Sequence, residues 1–286
     1  MKIGVLTSSR ADYGIYLPLL KKILLDPFFD LEIIAFGTHL SKFHGYTLNE
    51  IEKENFNKIH TISSLISNDD EQAIATAYGL TALKFADFWA NNTFDWVLCL
   101  GDRFEMSAAV QAGIPFGIKF AHLHGGETTL GAIDNIYRHQ ITLAASLHFT
   151  ATDAYKNKVI SITGSEEGVY TEGALSLDNI DSFEVIPEDV FYSKFNIPKE
   201  DFALVTFQPE TVAVKKNIDY ASVMKEALSE IATDINLVIT MPNADTSGTI
   251  YRQAKDALKK ENSNSIVLIE NFGKVNYFSA MKYANF

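Results

Sequence analysis

Between His122 and His139 the chain reads His-Leu-His-Gly-Gly-Glu-Thr-Thr-Leu-Gly-Ala-Ile-Asp-Asn-Ile-Tyr-Arg-His. Three histidines, two carboxylates, one arginine and three glycines share these eighteen residues, and four of the chain's seven histidines fall between His122 and His148. Imidazoles and carboxylates exchange protons, an arginine holds anions, and glycines let backbone come close to a ligand. The stretch therefore reads as an acid/base and anion-handling loop. His122 and His124 could begin a metal site with His139 or Asp134 completing it. The intervening Gly125-Gly126 and the nearby Arg138 favour an anion instead, and no metal is expected. Asp134 and Arg138 lie four apart at a helix start and so share a face, whereas His139 points elsewhere and reads as packed support.

Two further clusters carry similar chemistry. Thr7-Ser-Ser-Arg10-Ala-Asp12-Tyr13-Gly14 follows the first apolar run. It lacks the Gly-x-Gly-x-x-Gly spacing of dinucleotide sites, and an arginine at a helix N-terminus suits an anionic group. Gly101-Asp102-Arg103-Phe104-Glu105 ends another apolar run. Taken alone, Asp102 reads as the N-cap of the next helix, and Arg103 with Glu105 as a surface pair of little worth.

The elements that must position these groups are legible from periodicity. Strands are expected at Lys2–Thr7, Leu31–Phe36, Lys58–Ile62, Trp96–Leu100, Phe116–Ala121 and Leu147–Thr150. Helices are expected at Tyr13–Leu25, around Leu48 to Glu52, from Asp70 and Glu71 to Asn91, and at Phe104–Ala112 and Asn135–Ala145. Such alternation predicts a mostly parallel α/β sheet covered on both faces, with ligands at the carboxyl ends of its strands. A second series places strands at Ala203–Phe207, Asn236–Met241 and Ser265–Glu270, with helices at Asp219–Ala232, Ser247–Glu261 and Lys274–Tyr283. Asp178–Asp201, with Pro187 and Pro198, reads as a linker. The expected organisation is a Rossmann-like domain over 1–180 and a partial one over 181–286, facing each other across a cleft. The second offers only three strands, and the chain stops at Ala284-Asn285-Phe286 where another is expected to begin, so it reads as the N-terminal part of a longer protein.

A net charge of −12 over 286 residues argues against nucleic acid as a partner. No apolar run reaches transmembrane length or resembles a signal peptide. The single cysteine, Cys99, lies within a predicted strand and reads as a buried thiol, which fits a reducing cytoplasm.

Taken together, Ser9-Arg10-Ala11-Asp12-Tyr13, Gly101-Asp102-Arg103, His122-x-His-Gly-Gly-Glu127 through Asp134-x-x-x-Arg138-His139, and Gly173-Ala174-Leu175-Ser-Leu-Asp178-Asn179 resemble motifs of the UDP-N-acetylglucosamine 2-epimerase family, in its hydrolysing branch, over essentially the whole chain. The resemblance implies two Rossmann-like domains in a glycosyltransferase-B arrangement, the second incomplete here. It also implies an enzyme, for which no cofactor is expected. Such an enzyme eliminates UDP from a UDP- or GDP-linked 2-acetamido sugar and hydrates the glycal-type intermediate to the free 2-epimeric sugar for sialic or legionaminic acid-type synthesis. Carried over residue by residue, Asp102, Asp134, His124 and Arg138 become catalytic, with the two aspartates as acid/base groups and His124 a third. Arg10, Asp12, His122, Gly125, Gly126, Glu127 and Gln208 become substrate-binding. Arg10 is assigned to phosphate, and Arg138 to phosphate or to orienting Asp134. A homo-oligomer is compatible with the resemblance.

Two positions depart from the family's pattern. His124 stands where relatives often have glutamate, and Gln208 precedes Pro209 where a histidine is usual. Glutamine hydrogen-bonds but does not transfer protons at neutral pH. The family's nucleotide-holding serine-rich loop and glutamate fall beyond Phe286. The competing readings are a glycosyltransferase of the same architecture and a non-catalytic nucleotide-sugar-binding protein. The histidine loop with Asp134 and Arg138 favours elimination over transfer.

Overall fold

The structure is a computed structural model that describes residues 1–42, 45–66, 71–178, 185–208, 210, 216–241, 248–270 and 272–286. Asp70, Asn179, Pro209 and Ser247, named above, lie outside them. The chain divides into two compact units, Met1–Asp178 and Asn179–Phe286.

In the first unit the alternation runs β1 (Lys2–Thr7), α1 (Arg10–Leu25), β2 (Asp30–Phe36), α2 (Leu48–Glu52), β3 (Lys58–Ile62), α3 (Glu71–Asn91), β4 (Trp96–Leu100), α4 (Phe104–Gly113), β5 (Phe120–Leu123), α5 (Asp134–Ala144), β6 (Leu147–Thr150), α6 (Asp153–Thr163) and β7 (Val169–Thr171). The strands form a seven-stranded sheet in the order β3-β2-β1-β4-β5-β6-β7, all neighbours parallel. The chain builds outward from β1 through β2 to β3, then returns and builds the other way from β4. The carboxyl ends of β1 and β4 therefore flank the point where strand order reverses, the place where open α/β sheets bind ligands.

Both faces of the sheet are covered, which is why its central strands β1 and β4 are largely apolar and buried. On one face Tyr13, Tyr16, Leu20 and Ile23 of α1 pack on Val5, Ile33, Leu98 and Leu123. On the other, Phe85 and Trp89 of α3, Met106 and Val110 of α4 and Ile141 of α5 pack on Leu6, Val97, Cys99 and Phe120. Each such fully buried side chain contributes about 1.5–3 kcal/mol. This second layer fixes α4 and α5 against β4 and β5, and hence the loops at their ends.

Several boundaries differ from expectation for identifiable reasons. Helix α1 starts at Arg10, ahead of the first apolar repeat, because Ser9 and Asp12 form a reciprocal capping box. Strand β5 starts at Phe120 rather than Phe116. Ile114–Phe116 is a 3-10 turn containing Pro115, and Gly117 takes a left-handed φ of 67°. Helix α6 and strand β7 add a βα step that periodicity did not disclose.

The second unit holds α7 (Glu188–Phe195), β8 (Phe202–Val205), α8 (Asn217–Ile231), β9 (Asn236–Thr240), α9 (Gly248–Glu261), β10 (Ile266–Ile269) and α10 (Lys274–Tyr283). Its sheet is parallel, in the order β10-β9-β8. The expected linker at Asp178–Asp201 is corrected by α7, whose Phe191 is fully buried and meets the rings of Phe202, Phe272 and Tyr283. Pro187 and Pro198 flank this short helix and interrupt the periodicity on either side. Backbone bonds from Leu204 N to Phe286 O (2.9 Å) and from Asn285 N to Phe202 O (3.0 Å) lay the last residues along the free edge of β8.

Two glycines in the first unit have opposite expected behaviour. Gly126 has φ 80°, and a Cβ there stands 2.3 Å from the Tyr155 carbonyl oxygen. Gly126→Ala is therefore expected to destabilise by more than about 1 kcal/mol. Gly79, exposed within α3, has no atom of the described residues beyond its own turn of helix within 4 Å of its Cβ position, so Gly79→Ala should stabilise by about 0.5–1 kcal/mol. Urea denaturation of both variants checks the pair.

Candidate active site

The polar loops gather at the carboxyl ends of β4 and β5. After β4 the chain turns through Gly101, at φ 80°, and presents Asp102 before α4 begins. Asp102 does not cap that helix. The cap position is Arg103, and among the described residues no side chain makes a cap bond. Arg103 instead forms a two-point pair with Glu105, Nε to Oε2 at 3.2 Å and Nη2 to Oε1 at 3.0 Å. Glu105 is buried, so this is not the surface pair that the sequence suggested.

Helix α5 brings Arg138 to Asp102. The guanidinium is buried, its Nη2 donates to Asp102 Oδ2, and its Nη1 donates to the His124 carbonyl at 2.5 Å. Nη1 also lies 3.5 Å from Glu127 Oε2. Glu127 Oε1 in turn accepts from His124 Nδ1 at 2.6 Å. Asp102, Arg138, Glu127 and His124 thus form one connected cluster drawn from two strand ends and one helix. Burial pushes the Glu127 carboxyl up, but its hydrogen bond and charge interaction with His124, together with the Arg138 guanidinium, hold it below the usual carboxylate range. Asp134 opens α5 one turn before Arg138.

His124 has an uncommon backbone. Its φ of 63° is left-handed, a conformation that costs a residue with a side chain on the order of 1 kcal/mol and persists only where its surroundings enforce it. Here the backbone N–H donates to Phe149 O at 2.9 Å while the carbonyl takes Arg138 Nη1. With Nδ1 directed to Glu127, His124 Nε2 is buried without a hydrogen-bond partner among the described residues.

His122 lies beneath this cluster, fully buried in β5. Its Nε2 is 2.9 Å from Gly101 O and its Nδ1 is 3.1 Å from Thr142 Oγ1. Burial pushes the ring's pKa down to about 3, with Arg138 and the neighbouring histidines acting in the same direction. Gly125 packs on this ring, since a Cβ there stands 3.1 Å from His122 Nδ1 and 3.4 Å from Thr142 Oγ1. His139, adjacent to Arg138, is half-buried, and burial lowers its pKa too.

At the end of β1, Asp12 is directed inward. Its carboxylate accepts from Ser8 N (2.9 Å), Ser8 Oγ (2.8 Å), Thr7 Oγ1 (2.5 Å) and Ser9 N (3.2 Å). Buried His39 bonds the same Thr7 hydroxyl at 2.9 Å. These bonds shape the loop that leaves Arg10 exposed on the first turn of α1. Gln208 belongs to the second unit, half-buried after β8. Of the residues named from sequence, the structure brings Asp102, His124, Glu127 and Arg138 into contact. It adds Thr142, whose only sequence signal is its place one turn after Arg138.

Residues 21–286 match the family model for UDP-N-acetylglucosamine 2-epimerase. The chain is 35% identical over 254 residues to the UDP-N,N'-diacetylbacillosamine 2-epimerase (hydrolyzing) of Legionella pneumophila, covering 88% of this chain and 66% of that protein. It is 31% identical over 284 residues to the GDP/UDP-N,N'-diacetylbacillosamine 2-epimerase (hydrolyzing) of Campylobacter jejuni, covering 99% of this chain and 73% of that protein. The chain thus spans only part of each relative's length. The crystal structure of UDP-GlcNAc 2-epimerase from Neisseria meningitidis bound to UDP-GlcNAc has the same fold, with a TM-score of 0.80 at 14% identity over 99% of this chain and 76% of that one.

The His122 environment has a pH consequence. Between the ring's ordinary pKa of 6.5 and its folded value of about 3, the unfolded chain binds a proton that the native state refuses. Stability therefore falls as pH falls through this window, by about 1.4 kcal/mol per pH unit from this group. Chemical denaturation at pH 7 and pH 5 should give a smaller loss for His122→Gln than for the wild type. Equal losses in the two proteins would contradict this assignment.

Proposed function

The chain belongs to the UDP-N-acetylglucosamine 2-epimerase family, and from that premise we propose that it hydrolyses and 2-epimerises a nucleotide-linked 2-acetamido sugar, UDP-N-acetylglucosamine or a diacetylated relative. The reaction has two halves. A base removes the proton at C2, the C1–O bond to the nucleotide breaks with its electron pair leaving on phosphate, and a C1=C2 double bond forms. Water then adds across that bond, with hydroxyl to C1 and a proton to C2 from the opposite face, releasing the free epimer and the nucleoside diphosphate.

This sequence needs two proton-exchanging groups flanking the ring and positive charge near the departing phosphate. The observation that carries the reading is the cluster in which Arg138 ties Asp102, Glu127 and the His124 backbone together at the carboxyl ends of β4 and β5. Asp102 and His124 are the exchanging groups best supported by it. Glu127 accepts from His124 Nδ1, so Nε2 is the ring atom left to give or take a proton. Asp134, on the same helix as Arg138, is the third candidate. Arg138 is engaged with carboxylates, which makes it the organiser of Asp102, while exposed Arg10 at the start of α1 suits the phosphates. Gly125 and Gly126 let the His124 loop turn tightly between strand and substrate.

The full-length protein, incubated in heavy water with UDP-N-acetylglucosamine and separately with its diacetylbacillosamine counterpart, is expected to release UDP without any acceptor and to place deuterium at C2 of the free sugar. UDP release that begins only when an acceptor is added points to a glycosyltransferase, and binding without release to a binding protein. Asp102→Asn is expected to lower kcat by about a hundredfold or more while far-UV circular dichroism stays unchanged. Wild-type kcat in that variant reduces Asp102 to an ion-pair partner.

A further inference from the structure

The buried His122 ring contacts no surface, yet both its nitrogens are engaged, and the two bonds point in one direction. The Gly101 carbonyl can only accept, so His122 Nε2 carries the proton it shares at 2.9 Å. In the neutral ring Nδ1 is then an acceptor, and the hydroxyl 3.1 Å away on Thr142 donates to it. Thr142, itself buried, follows Arg138 by one turn on the same face of α5. One helix thus reaches the β4–α4 turn at two successive residues, holding the Gly101 carbonyl through His122 and the Asp102 carboxylate through Arg138.

Gly101 needs that hold. Chain neighbours aside, no atom of the described residues lies within 4 Å of where its Cβ would stand, so no packing on that side holds it. Its N–H donates to Leu123 O at 3.1 Å and its carbonyl accepts from His122. Both backbone groups are therefore pinned to β5 at the residue that aims Asp102. An apolar ring of the same size fills the space but supplies neither the donor nor the acceptor.

We propose that His122 and Thr142 are positioning residues for Asp102, forming a Thr142–His122–Gly101 relay that sets the direction of its carboxylate. The inference rests on the acid/base role proposed for Asp102, and it gives His122 a task other than touching substrate. The neutral ring that the relay requires agrees with the lowered pKa of His122.

The test uses the full-length protein with Thr142→Val, which keeps shape but removes the hydroxyl, and Thr142→Ser, which keeps the hydroxyl. Val is expected to lower kcat by about tenfold or more, with KM within about twofold, because a small misplacement of a reacting group is costly; Ser should restore kcat. Imidazole nitrogen NMR should show wild-type His122 as a single Nε2–H tautomer, and Val should give mixed tautomers and shift the Asp102 carboxyl carbon. If Val does not fold, Thr142→Ala is read by the same two signals. An Nδ1–H tautomer in the wild type overturns the relay, as does Val with unchanged kcat and an unmoved Asp102 signal. If the wild type releases no nucleotide from any sugar, the functional reading fails, while the ring and carboxyl signals still decide the relay.

Discussion

The arrangement depends on how one buried cation is compensated. Arg138 lies under the sheet's carboxyl edge with almost no contact with water, where an unpaired guanidinium is strongly unfavourable. Its charge is met by Asp102 from the β4 end, and by Glu127 and the His124 carbonyl from the β5 end, while its Nε has no hydrogen-bond partner among the described residues. Two adjacent loops are thereby fastened to α5. Remove the arginine, and two carboxylates face each other with nothing between them.

The fold makes this compensation geometrically available. Parallel strands end on the same side, so groups distant in sequence meet wherever neighbouring strands stop. β4 pairs with β5, placing Gly101 beside Leu123 and Asp102 near His124. The left-handed turn at His124 and the glycines after it bring Glu127 back under Arg138. Strain at His124 is balanced by bonds that are part of the same cluster.

Much of this was legible in the sequence, and the remainder was hidden for physical reasons. Apolar strands bounded by sharp turns, such as Lys2–Thr7 and Trp96–Leu100, coincide with β1 and β4, and the motif-bearing loops fall at strand ends as the alternation required. The capping of α1 was written in Ser9 and Asp12 but was masked by an apolar period that starts later. The helix at Glu188–Phe195 was obscured by flanking prolines, although its aromatic residues form the core of the second unit. Within the site, spacing pairs Asp134 with Arg138, while the guanidinium reaches Asp102, 36 residues away. No local pattern announces a contact made across a sheet. The same holds for His122, which the family resemblance placed among substrate-binding residues while its ring is enclosed between the end of β4 and α5.

Arg138 joins the Asp102 and His124–Glu127 sides of the site into one unit. The most direct measurement is a double-mutant cycle on kcat/KM for nucleotide release with Asp102→Asn, Glu127→Gln and the pair. A unit joined in this way predicts strong non-additivity, with a coupling of at least about 1 kcal/mol. Effects that simply add within error would contradict the claim and leave the two sides acting independently.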